Sequence, residues 1–454
     1  MHLKTSYQIL EKITKGTLYK TSADNILDSI SYDTRTLQKG QAYIALKGAS
    51  LDGHIFINKA IKSGASLIIL EKKELTKYQN ILQNIPYLTV ANTLLALQEI
   101  SKFHRVNKSI KIAAITGSNG KSTTKQMLSS ILNQAGKTCS TEGNFNNQIG
   151  VPRSLMEITD KDKFGVFELG ASHVGDIAEI ARLVLPDVAV ITNVSPAHLK
   201  YFGTMENIYR TKTEITEYIS ENGTLIFNGD NEYLKQLKNT YKGKMISFGF
   251  KKGNDLQIKD TKIFSFLYNG ISFDTDIVLE NHNKLNAAAA CGAALALGIS
   301  SKDIETGLKN FKPMPMRLEK YIIKQSEILL DCYNANPASM ENALNILASS
   351  LKTHKTAVLG DMLELGAYSE KYHKELAHKI VGAKIDEVFL GGTEIKFTYE
   401  ELLKLNFKAV KYSANKMDFS EDLKKVLDKD SVLLFKASRA LNFEELFLKL
   451  KENK

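Results

Sequence analysis

Apolar runs of strand length alternate with stretches of helical periodicity over most of the chain. In residues 109–312, four apolar runs predict β-strands at 111–116, 165–169, 188–192 and 224–228. The stretches between and after them repeat apolar residues at helical spacing and predict helices at 121–135, 174–183, 205–219 and 284–297. Strands that alternate with helices in this way are typical of a parallel α/β sheet.

The same alternation returns in residues 313–454. Strands are predicted at 328–331, 356–359, 387–390 and 432–435, and helices at 338–351, 372–381, 419–427 and 443–450. Pro313 and Pro315 separate this segment from the one before it, because neither proline can continue a helix. We expect a second doubly wound, Rossmann-like domain here.

Residues 1–108 mix short strands and helices, for example a strand within 41–46. At roughly 150 residues per domain, the 454-residue chain is expected to form three α/β domains. Their predicted bounds are 1–108 for a small mixed α/β domain, 109–312 for a central parallel-sheet domain and 313–454 for the Rossmann-like domain.

Composition is that of an ordinary globular protein, with 43% hydrophobic and 24% charged residues. No apolar run reaches the roughly 18 residues of a membrane span, and the N-terminal residues lack the apolar core of a signal peptide. The three cysteines lie far apart and predict neither a zinc site nor a disulfide framework. We therefore expect a cytoplasmic protein without a membrane span.

The net charge of +10 is concentrated near the N-terminus. Residues 1–108 hold fifteen lysines and arginines against eight aspartates and glutamates, which gives +7. Such a domain could attract a polyanionic ligand or simply carry a solvated lysine-rich surface. No arginine-rich stripe or aromatic repeat accompanies the charge, so we expect no nucleic-acid partner.

The run Gly-Ser-Asn-Gly-Lys-Ser at 117–122 lies between a predicted strand and a predicted helix. In that context the glycine-rich turn presents backbone N–H groups, Lys121 and the Ser122 hydroxyl to a phosphate chain and its Mg²⁺. The general P-loop has a glycine five residues before the second one, where this chain has Ile115. The central domain is thus predicted to bind a mononucleotide through a loop of unusual spacing.

Three further residues of the central segment are candidates for metal binding. Glu168 ends one predicted strand and His198 follows another, where ligands of α/β sheets gather; the alternatives are a helix-capping or loop carboxylate for Glu168 and a loop residue for His198. The pattern around Lys212 indicates only a surface lysine on a helix.

Polar clusters end three strands of the last segment, at 331–337, 360–366 and 436–439. Two carboxylates, two cations and several amides on one sheet edge suit a ligand with an amine and a carboxylate, and a carboxylate there can hold ribose hydroxyls. Ordinary polar loops are the alternative.

Together these motifs closely resemble the Mur ligases of peptidoglycan synthesis over nearly the whole chain. The resemblance rests on Asp-Thr-Arg at 33–35, Ala-Leu-Lys-Gly at 45–48, Asp-Gly-His-Ile-Phe at 52–56, the phosphate loop at 116–122 and the runs at 141–152, 331–337 and 360–366. Two positions depart from the family pattern: Leu330 stands where a second acid is common, and Ala437 stands where a glycine is usual.

The resemblance implies ATP and Mg²⁺, the latter at two sites, as cofactors. It assigns the nucleotide to Gly117, Ser118, Asn119, Gly120, Lys121, Ser122, Thr123, Asn286, Arg317 and Asp331. It assigns the metal to Ser122, Glu168, His198 and Lys212, with Lys212 carried as a carbamate. The implied catalytic residues are Lys121, Lys212, His198 and Arg317.

The resemblance further implies an ATP-dependent amide ligase, acting as a monomer, that joins D-alanyl-D-alanine to UDP-N-acetylmuramoyl-tripeptide. The first domain would bind the UDP-sugar and the third the dipeptide. The substrate residues would be Ser31, Arg35, Lys47, Asn144, Asn146, Asn147, Tyr333, Asn334, Asn336, Asp361, Glu364, Lys436, Ser438 and Arg439. The alternatives are a sister ligase adding the third stem-peptide residue, a folylpolyglutamate synthetase-like ligase and a P-loop regulatory ATPase.

Overall fold

The computed structural model describes residues 1–21, 25–48, 51–427 and 430–452. Within these residues three sheets of six, nine and six strands follow one another along the chain. Buried apolar side chains of strands and helices form the cores beside them. The predicted α/β class with three sheet-containing units is confirmed.

The first sheet has a parallel centre and antiparallel strands at both edges, in the order β1-β3-β4-β5-β6-β2. Its strands are β1 (His2–Ser6), β2 (Thr17–Tyr19), β3 (Ile26–Ser31), β4 (Ala42–Ile44), β5 (Leu67–Glu71) and β6 (Tyr87–Val90). The helices are α1 (Tyr7–Thr14), α2 (Ile57–Lys62), α3 (Leu75–Tyr78) and α4 (Thr93–Val106). Helix α4 joins this N-terminal unit to the next one: Gln98 donates to Oε1 of Glu179 at 2.6 Å, and Arg182 donates to Oε1 of Glu99 at 2.7 Å.

The second sheet has the order β15-β14-β13-β12-β11-β10-β7-β9-β8. Its strands are β7 (Lys111–Thr116), β8 (Thr138–Ser140), β9 (Phe164–Glu168), β10 (Val188–Ile191), β11 (Thr224–Asn228), β12 (Lys244–Gly249), β13 (Leu256–Ile258), β14 (Ile263–Tyr268) and β15 (Ile271–Val278). The helices are α5 (Lys121–Ala135), α6 (Gly150–Leu155), α7 (Asp176–Val184), α8 (Leu199–Phe202), α9 (Met205–Thr213), α10 (Leu237–Thr240), α11 (Asn281–Ala296) and α12 (Ser301–Lys309).

This central sheet is mixed, whereas the sequence predicted a parallel one. Strands β7 to β13 pair in parallel, but β14 and β15 are antiparallel. The edge strand β15 has mostly exposed or half-buried residues and carries Asp274 and Asp276, so it lacks the apolar run of a buried strand. The helix expected over 205–219 ends at Thr213, and Glu214–Tyr218 forms a 3₁₀ turn instead.

The third sheet has the order β16-β17-β21-β18-β19-β20, with β16 antiparallel at one edge. Its strands are β16 (Glu319–Ile323), β17 (Ser326–Asp331), β18 (His354–Gly360), β19 (Glu387–Gly391), β20 (Val410–Ser413) and β21 (Ser431–Lys436). The helices are α13 (Pro337–Ser349), α14 (Ser369–Gly382), α15 (Lys396–Lys404), α16 (Ser420–Val426) and α17 (Glu444–Glu452). The sequence prediction omitted β16, β20 and α15.

Short 3₁₀ turns complete the described secondary structure, at Gly53–Phe56, Lys72–Glu74, Glu214–Tyr218, Leu234–Gln236, Gly366–Tyr368, Lys416–Phe419 and Arg439–Leu441. No helix in the described ranges has both the length and the apolar character needed to cross a bilayer.

Strand order decides where polar residues meet. Strands β10, β7 and β9 are neighbours in the central sheet, and β17, β21 and β18 are neighbours in the third, so the residues at their carboxyl ends gather at one edge of each sheet.

Candidate active site

The loop between β7 and α5 turns sharply enough to require its two glycines. Gly117 has a φ of +142°, and a Cβ there would lie 2.0 Å from Oγ1 of Thr192. Gly120 has a φ of +82°, and a Cβ there would lie 2.3 Å from Oδ1 of Asn286. The loop therefore packs directly on β10 and α11, which fixes the direction of its N–H groups at the start of α5.

Lys121 begins α5 and folds back over this loop. Its Nζ donates to the carbonyl oxygens of Gly117, at 2.7 Å, and Ser118, at 3.2 Å. Burial lowers the pKa of the Lys121 ammonium, while the charge of Glu168 acts in the opposite direction. A half-buried cation whose hydrogen bonds within the described residues go to loop carbonyls is well placed to interact with a phosphate chain.

Glu168 ends the neighbouring strand β9 and is 3% exposed. Its Oε1 accepts a hydrogen bond from Nδ2 of Asn146 at 2.8 Å, but its Oε2 is buried without a partner. An unpartnered carboxylate oxygen that lines the same cavity as Ser122 of the phosphate loop fits a hard cation such as Mg²⁺. Among the described residues no three His, Cys, Asp or Glu side chains cluster as a ready-made metal site.

Lys212 lies on α9 and is buried, with 2% of its surface exposed, rather than being the surface lysine that the local pattern indicated. Its Nζ lies 5.4 Å from the centre of the Phe202 ring. Burial, and next the charge of Lys121, lowers the pKa of Lys212 to about 7. A substantial fraction of the amine is therefore neutral near pH 7, and only a neutral amine can add to CO₂.

His198 and Glu364 meet across the boundary between the central and third units. His198 Nδ1 lies 2.5 Å from Oε2 of Glu364, and the backbone N–H of Lys200 donates to the Glu364 carbonyl at 2.9 Å. The imidazole lines the cavity described below.

Arg317, which follows the proline-containing break at 313–315, contacts the central unit. Its Nη2 donates to Oγ of Ser122 at 3.1 Å, and its guanidinium carbon stacks 4.2 Å from the centre of the Tyr333 ring. Arg317 Nε is buried and has no partner. A phosphate oxygen would satisfy that donor, which matches the expected position of the terminal phosphates.

Asp331 and Lys436 end the paired strands β17 and β21. Lys436 is 2% exposed and donates to Oδ2 of Asp331 at 2.6 Å and to the Asn334 carbonyl at 3.0 Å. The pair keeps both charges neutralised in a buried position and leaves Asp331 Oδ1 without a bond to Lys436.

Asn119 of the phosphate loop and Asn336 of the third unit form a reciprocal amide pair. Asn336 Nδ2 donates to Oδ1 of Asn119 at 2.6 Å, and Asn119 Nδ2 donates back at 3.3 Å. Asn336 also caps α13 by accepting from the Ser339 N–H at 2.9 Å. The Asn336 side chain is thus engaged both with the phosphate loop of the central unit and with helix α13 of its own unit.

These groups surround one cavity of about 560 Å³ between the central and third units. The expected residues that line it are Ser118, Asn119, Gly120, Lys121, Ser122, Thr123, Asn146, Asn147, Glu168, His198, Asn286, Arg317, Asp331, Tyr333, Asn334 and Lys436. The expected residues that do not line it are Ser31, Arg35, Lys47, Gly117, Asn144, Lys212, Asn336, Asp361, Glu364, Ser438 and Arg439.

Three of the third-unit residues that do not line the cavity, Asp361, Ser438 and Arg439, form hydrogen bonds or ion pairs within that unit. Asp361 is 1% exposed and accepts from the N–H groups of Thr393, at 3.1 Å, and Ile395, at 2.7 Å. Ser438 Oγ accepts from the Leu363 N–H at 2.9 Å, and Arg439 pairs with Glu444. The departures Leu330 and Ala437 are both buried, and Ala437 is not among the described residues with positive φ, so the left-handed backbone of a glycine is not needed there.

In the N-terminal unit, Arg35 is exposed and forms a two-pronged pair with Asp33. Its Nε and Nη2 lie 2.9 and 2.7 Å from the two carboxylate oxygens, and this pair lowers the pKa of Asp33 to about 2. Ser31 Oγ accepts from the Asp33 N–H at 3.1 Å, which places all three residues at the end of β3. The backbones of Lys47 and Asp52 pair in an isolated antiparallel β-bridge.

Sequence reasoning missed two parts of the site. Lys125, one helical turn beyond Lys121, is buried and donates to the carbonyls of Thr141, at 2.6 Å, and Gly143, at 3.4 Å; the Thr141 hydroxyl in turn accepts from the Glu168 N–H at 3.0 Å. The second part is an apolar wall opposite the phosphate loop, formed by Phe248, Phe311, Pro313 and Met314. Pro313 and Pro315 predicted only a break between two segments, and not a wall of the cavity. The position of Lys125, one helical turn after Lys121, is the sequence signal that could have indicated it.

Comparison with known proteins gives concordant results over the whole chain. The family models described as Mur ligase family, catalytic domain, Mur ligase middle domain, and Mur ligase, glutamate ligase domain match residues 27–105, 115–294 and 316–439. A relative from Bacillus subtilis, named UDP-N-acetylmuramoyl-tripeptide–D-alanyl-D-alanine ligase, is 35% identical, and the alignment covers 99% of each chain.

Solved structures agree. A MurF crystal structure from Acinetobacter baumannii matches with a TM-score of 0.91 at 30% identity, covering 99% of both chains. A MurF ligase from Thermotoga maritima in complex with ADP matches with a TM-score of 0.82 at 28% identity, covering 94% of this chain and 98% of that one.

Proposed function

The chain belongs to the Mur ligase family, and from that premise we infer that it joins D-alanyl-D-alanine to UDP-N-acetylmuramoyl-tripeptide, with conversion of ATP to ADP and phosphate. The product is the UDP-muramoyl-pentapeptide. The observation that carries this function is the single cavity in which the phosphate loop of the central unit faces Arg317 and Asp331 of the third. That arrangement brings a nucleotide and an acceptor on another unit to the same place.

The reaction needs ATP because a free carboxylate is a poor acylating agent. An oxygen of the terminal tripeptide carboxylate attacks the γ-phosphorus, the bond to the β-phosphate oxygen breaks, and ADP leaves. The amine of D-alanyl-D-alanine then adds to the acyl phosphate carbonyl. The tetrahedral intermediate loses phosphate and a proton, which leaves an amide. Each step mainly requires positioning and stabilisation of developing negative charge.

The residues of the cavity divide these tasks. Lys121 and Arg317 interact with the transferred phosphoryl group, while Asp331 holds the ribose and Asn286 contacts the adenine. This distribution is supported by the unpartnered Nε of Arg317 and by the contact of Asn286 with the loop at Gly120. The apolar wall of Phe248, Phe311 and Pro313 offers a surface for the base.

Magnesium would be held by Ser122, Glu168 and His198, and at a second position by a carbamate on Lys212. Bound Mg²⁺ would neutralise negative charge on the phosphates. The unpartnered Glu168 Oε2 supports the first position. The lowered pKa of Lys212, about 7, supports carbamate formation, which would turn a buried cation into an anion. Chelation should abolish ligation, and added Mg²⁺ should restore it.

The three units take different substrates in this proposal. Residues 1–108 bind the uridine nucleotide through Ser31, Arg35 and Lys47, and residues 109–312 bind ATP. Asn144, Asn146 and Asn147 face the muramoyl-peptide, and residues 313–454 bind the dipeptide. We place the protein in the cytoplasm, where ATP and nucleotide-linked precursors are found. We expect it to act as a monomer.

A substrate-omission assay tests the function. Phosphate release should require ATP, UDP-N-acetylmuramoyl-tripeptide and D-alanyl-D-alanine together, and omission of any one should reduce release to background. Release with folate and glutamate in place of the two cell-wall substrates would refute the assignment. Stimulation by a macromolecule, rather than by the dipeptide, would favour a regulatory ATPase.

A further inference from the structure

The contact between His198 and Glu364 joins two units at the edge of the cavity. His198 stands at the N-terminus of α8 in the central unit, and Glu364 lies in the loop after β18 of the third unit. Nδ1 and Oε2 lie 2.5 Å apart as a close ion pair, in which the ring N–H is not aligned for a regular hydrogen bond and Nδ1 has no other partner among the described residues. Because Nδ1 faces the Glu364 carboxylate, Nε2 is the ring nitrogen left for a ligand.

The loop that carries Glu364 is held from both sides. On the central side, the Lys200 N–H donates to the Glu364 carbonyl at 2.9 Å, and a Cβ at Gly366 would lie 2.9 Å from Cα of Lys200. On the other side, the Met362 N–H donates to Nε2 of the buried His373 at 3.2 Å. The loop is therefore a rigid support and is positioned independently of the Glu364 side chain.

Both partners adopt backbone conformations that non-glycine residues rarely occupy. His198 has a φ of +53° and Glu364 a φ of +65°. Each such residue costs about 1 kcal/mol or more and persists only where the surroundings impose it. Strain on both sides of one interdomain contact indicates that the direction of these two side chains matters.

We propose that Glu364 orients the His198 imidazole and fixes its Nδ1–H tautomer, so that the third unit prepares a metal ligand of the central unit. Glu364 is thereby a positioning residue rather than the substrate residue that the sequence indicated. The proposal rests on the metal role of His198 given above. A carboxylate that accepts from the distal N–H of a ligating histidine fixes the ring and raises its basicity. Metal binding and docking of the third unit are then coupled through the contact between these two side chains.

Mn²⁺ binding tests the proposal without catalysis. Free Mn²⁺ is measured by electron paramagnetic resonance for the full-length protein and for Glu364→Ala, Glu364→Gln and His198→Ala. Glu364→Ala should weaken binding by about 10-fold or more. Glu364→Gln should be affected less, because an amide oxygen still accepts from Nδ1–H. The control is Glu370→Ala, which removes an exposed carboxylate of the same unit that pairs with Lys374.

The second measurement is the tautomer of His198, read from ring ¹⁵N shifts in protein labelled at histidine, with His198→Ala used for assignment. The wild type should show the Nδ1–H form, and Glu364→Ala should shift the ring toward the Nε2–H form. Unchanged Mn²⁺ affinity in His198→Ala would remove the proposed metal role itself. Weaker binding in His198→Ala, with either the affinity or the tautomer unaltered in Glu364→Ala, would overturn only the role of Glu364.

Discussion

The central and third sheets both collect polar residues at the carboxyl ends of parallel strands, but they differ in whether those residues are already satisfied. In the central unit, Glu168 has a buried oxygen without a partner, and Lys121 contacts only carbonyls of its own loop. In the third unit, Asp361 accepts from two backbone N–H groups, and Ser438 holds the loop at Leu363. Position at a strand end therefore predicts nearness to the site, while the hydrogen-bond inventory separates reactive groups from scaffold.

Lys121→Ala should have the largest effect, because it removes the half-buried cation of the phosphate loop. We expect ligation to fall by about 10³-fold or more, measured as phosphate release with all three substrates. The melting temperature should change little, since Lys121 Nζ bonds only to Gly117 and Ser118. Substantial remaining activity would show that Lys121 has a structural role rather than a role in phosphoryl transfer.

The pH dependence of stability tests the lowered pKa of Lys212, which also belongs to the central unit. Its pKa falls from 10.5 to about 7 on folding, so between these values the unfolded chain binds a proton that the folded chain does not. Stability should therefore rise with pH above about 7, by at most about 1.4 kcal/mol per pH unit, and this contribution is constant below pH 7. Urea unfolding in CO₂-free buffer at pH 7 to 9 should show a smaller slope for Lys212→Met; equal slopes would exclude the shifted pKa.

Asp361→Asn tests the scaffold side. The two N–H groups bond to different carboxylate oxygens and an amide has only one, so either the part-buried hydrogen bond from the Thr393 N–H or the buried one from the Ile395 N–H is lost. We expect a loss of about 2–3 kcal/mol in stability, seen as a lower urea midpoint, with activity per folded molecule retained. Asp422→Asn, which alters a surface pair with Lys411, is the matched control. Loss of activity without loss of stability would show that Asp361 acts on the substrates rather than in holding the fold.

Lys125→Met should have an intermediate effect, because Lys125 supports the segment at Thr141 rather than contacting a phosphate. Loss of a charged hydrogen bond of about 1.5–3 kcal/mol should loosen the segment that carries Asn144 and Asn146. We expect KM for the UDP-muramoyl-peptide to rise by about tenfold, with KM for ATP nearly unchanged. An equal rise in both constants would indicate a direct role at the nucleotide.

Arg35→Ala should have the smallest effect on stability, because its pair with Asp33 is exposed. We expect a change in the free energy of unfolding below about 1 kcal/mol. If Arg35 binds the uridine nucleotide, KM for that substrate alone should rise. A change in KM for ATP instead would separate Arg35 from the N-terminal substrate site.

Sequence alone predicted the elements whose local signal is strong. Strands at 111–116 and 224–228 and the helix at 121–135 agree with the structure residue by residue, because apolar runs and the glycine turn mark them. Strand β15 was missed because its charged edge lacks an apolar run, and β16 because it follows directly on the linker.

The lining of the cavity was predictable wherever a motif fixed a residue at or just after a strand end, as for Lys121, Glu168 and Asp331. Burial was not predictable from local pattern, which gave Lys212 as a surface residue although it is 2% exposed. Contacts between units, such as that of Glu364 with His198, depend on docking of distant segments and leave no local signal.

Transfer of an oxygen atom tests the central claim most directly. The tripeptide substrate is labelled with ¹⁸O in its terminal carboxylate, and the released phosphate is analysed by mass spectrometry. If that carboxylate attacks ATP and the amine then displaces phosphate, each amide bond formed should deliver one ¹⁸O to phosphate, and no label should appear without the dipeptide. Unlabelled phosphate accompanying amide formation would contradict the account.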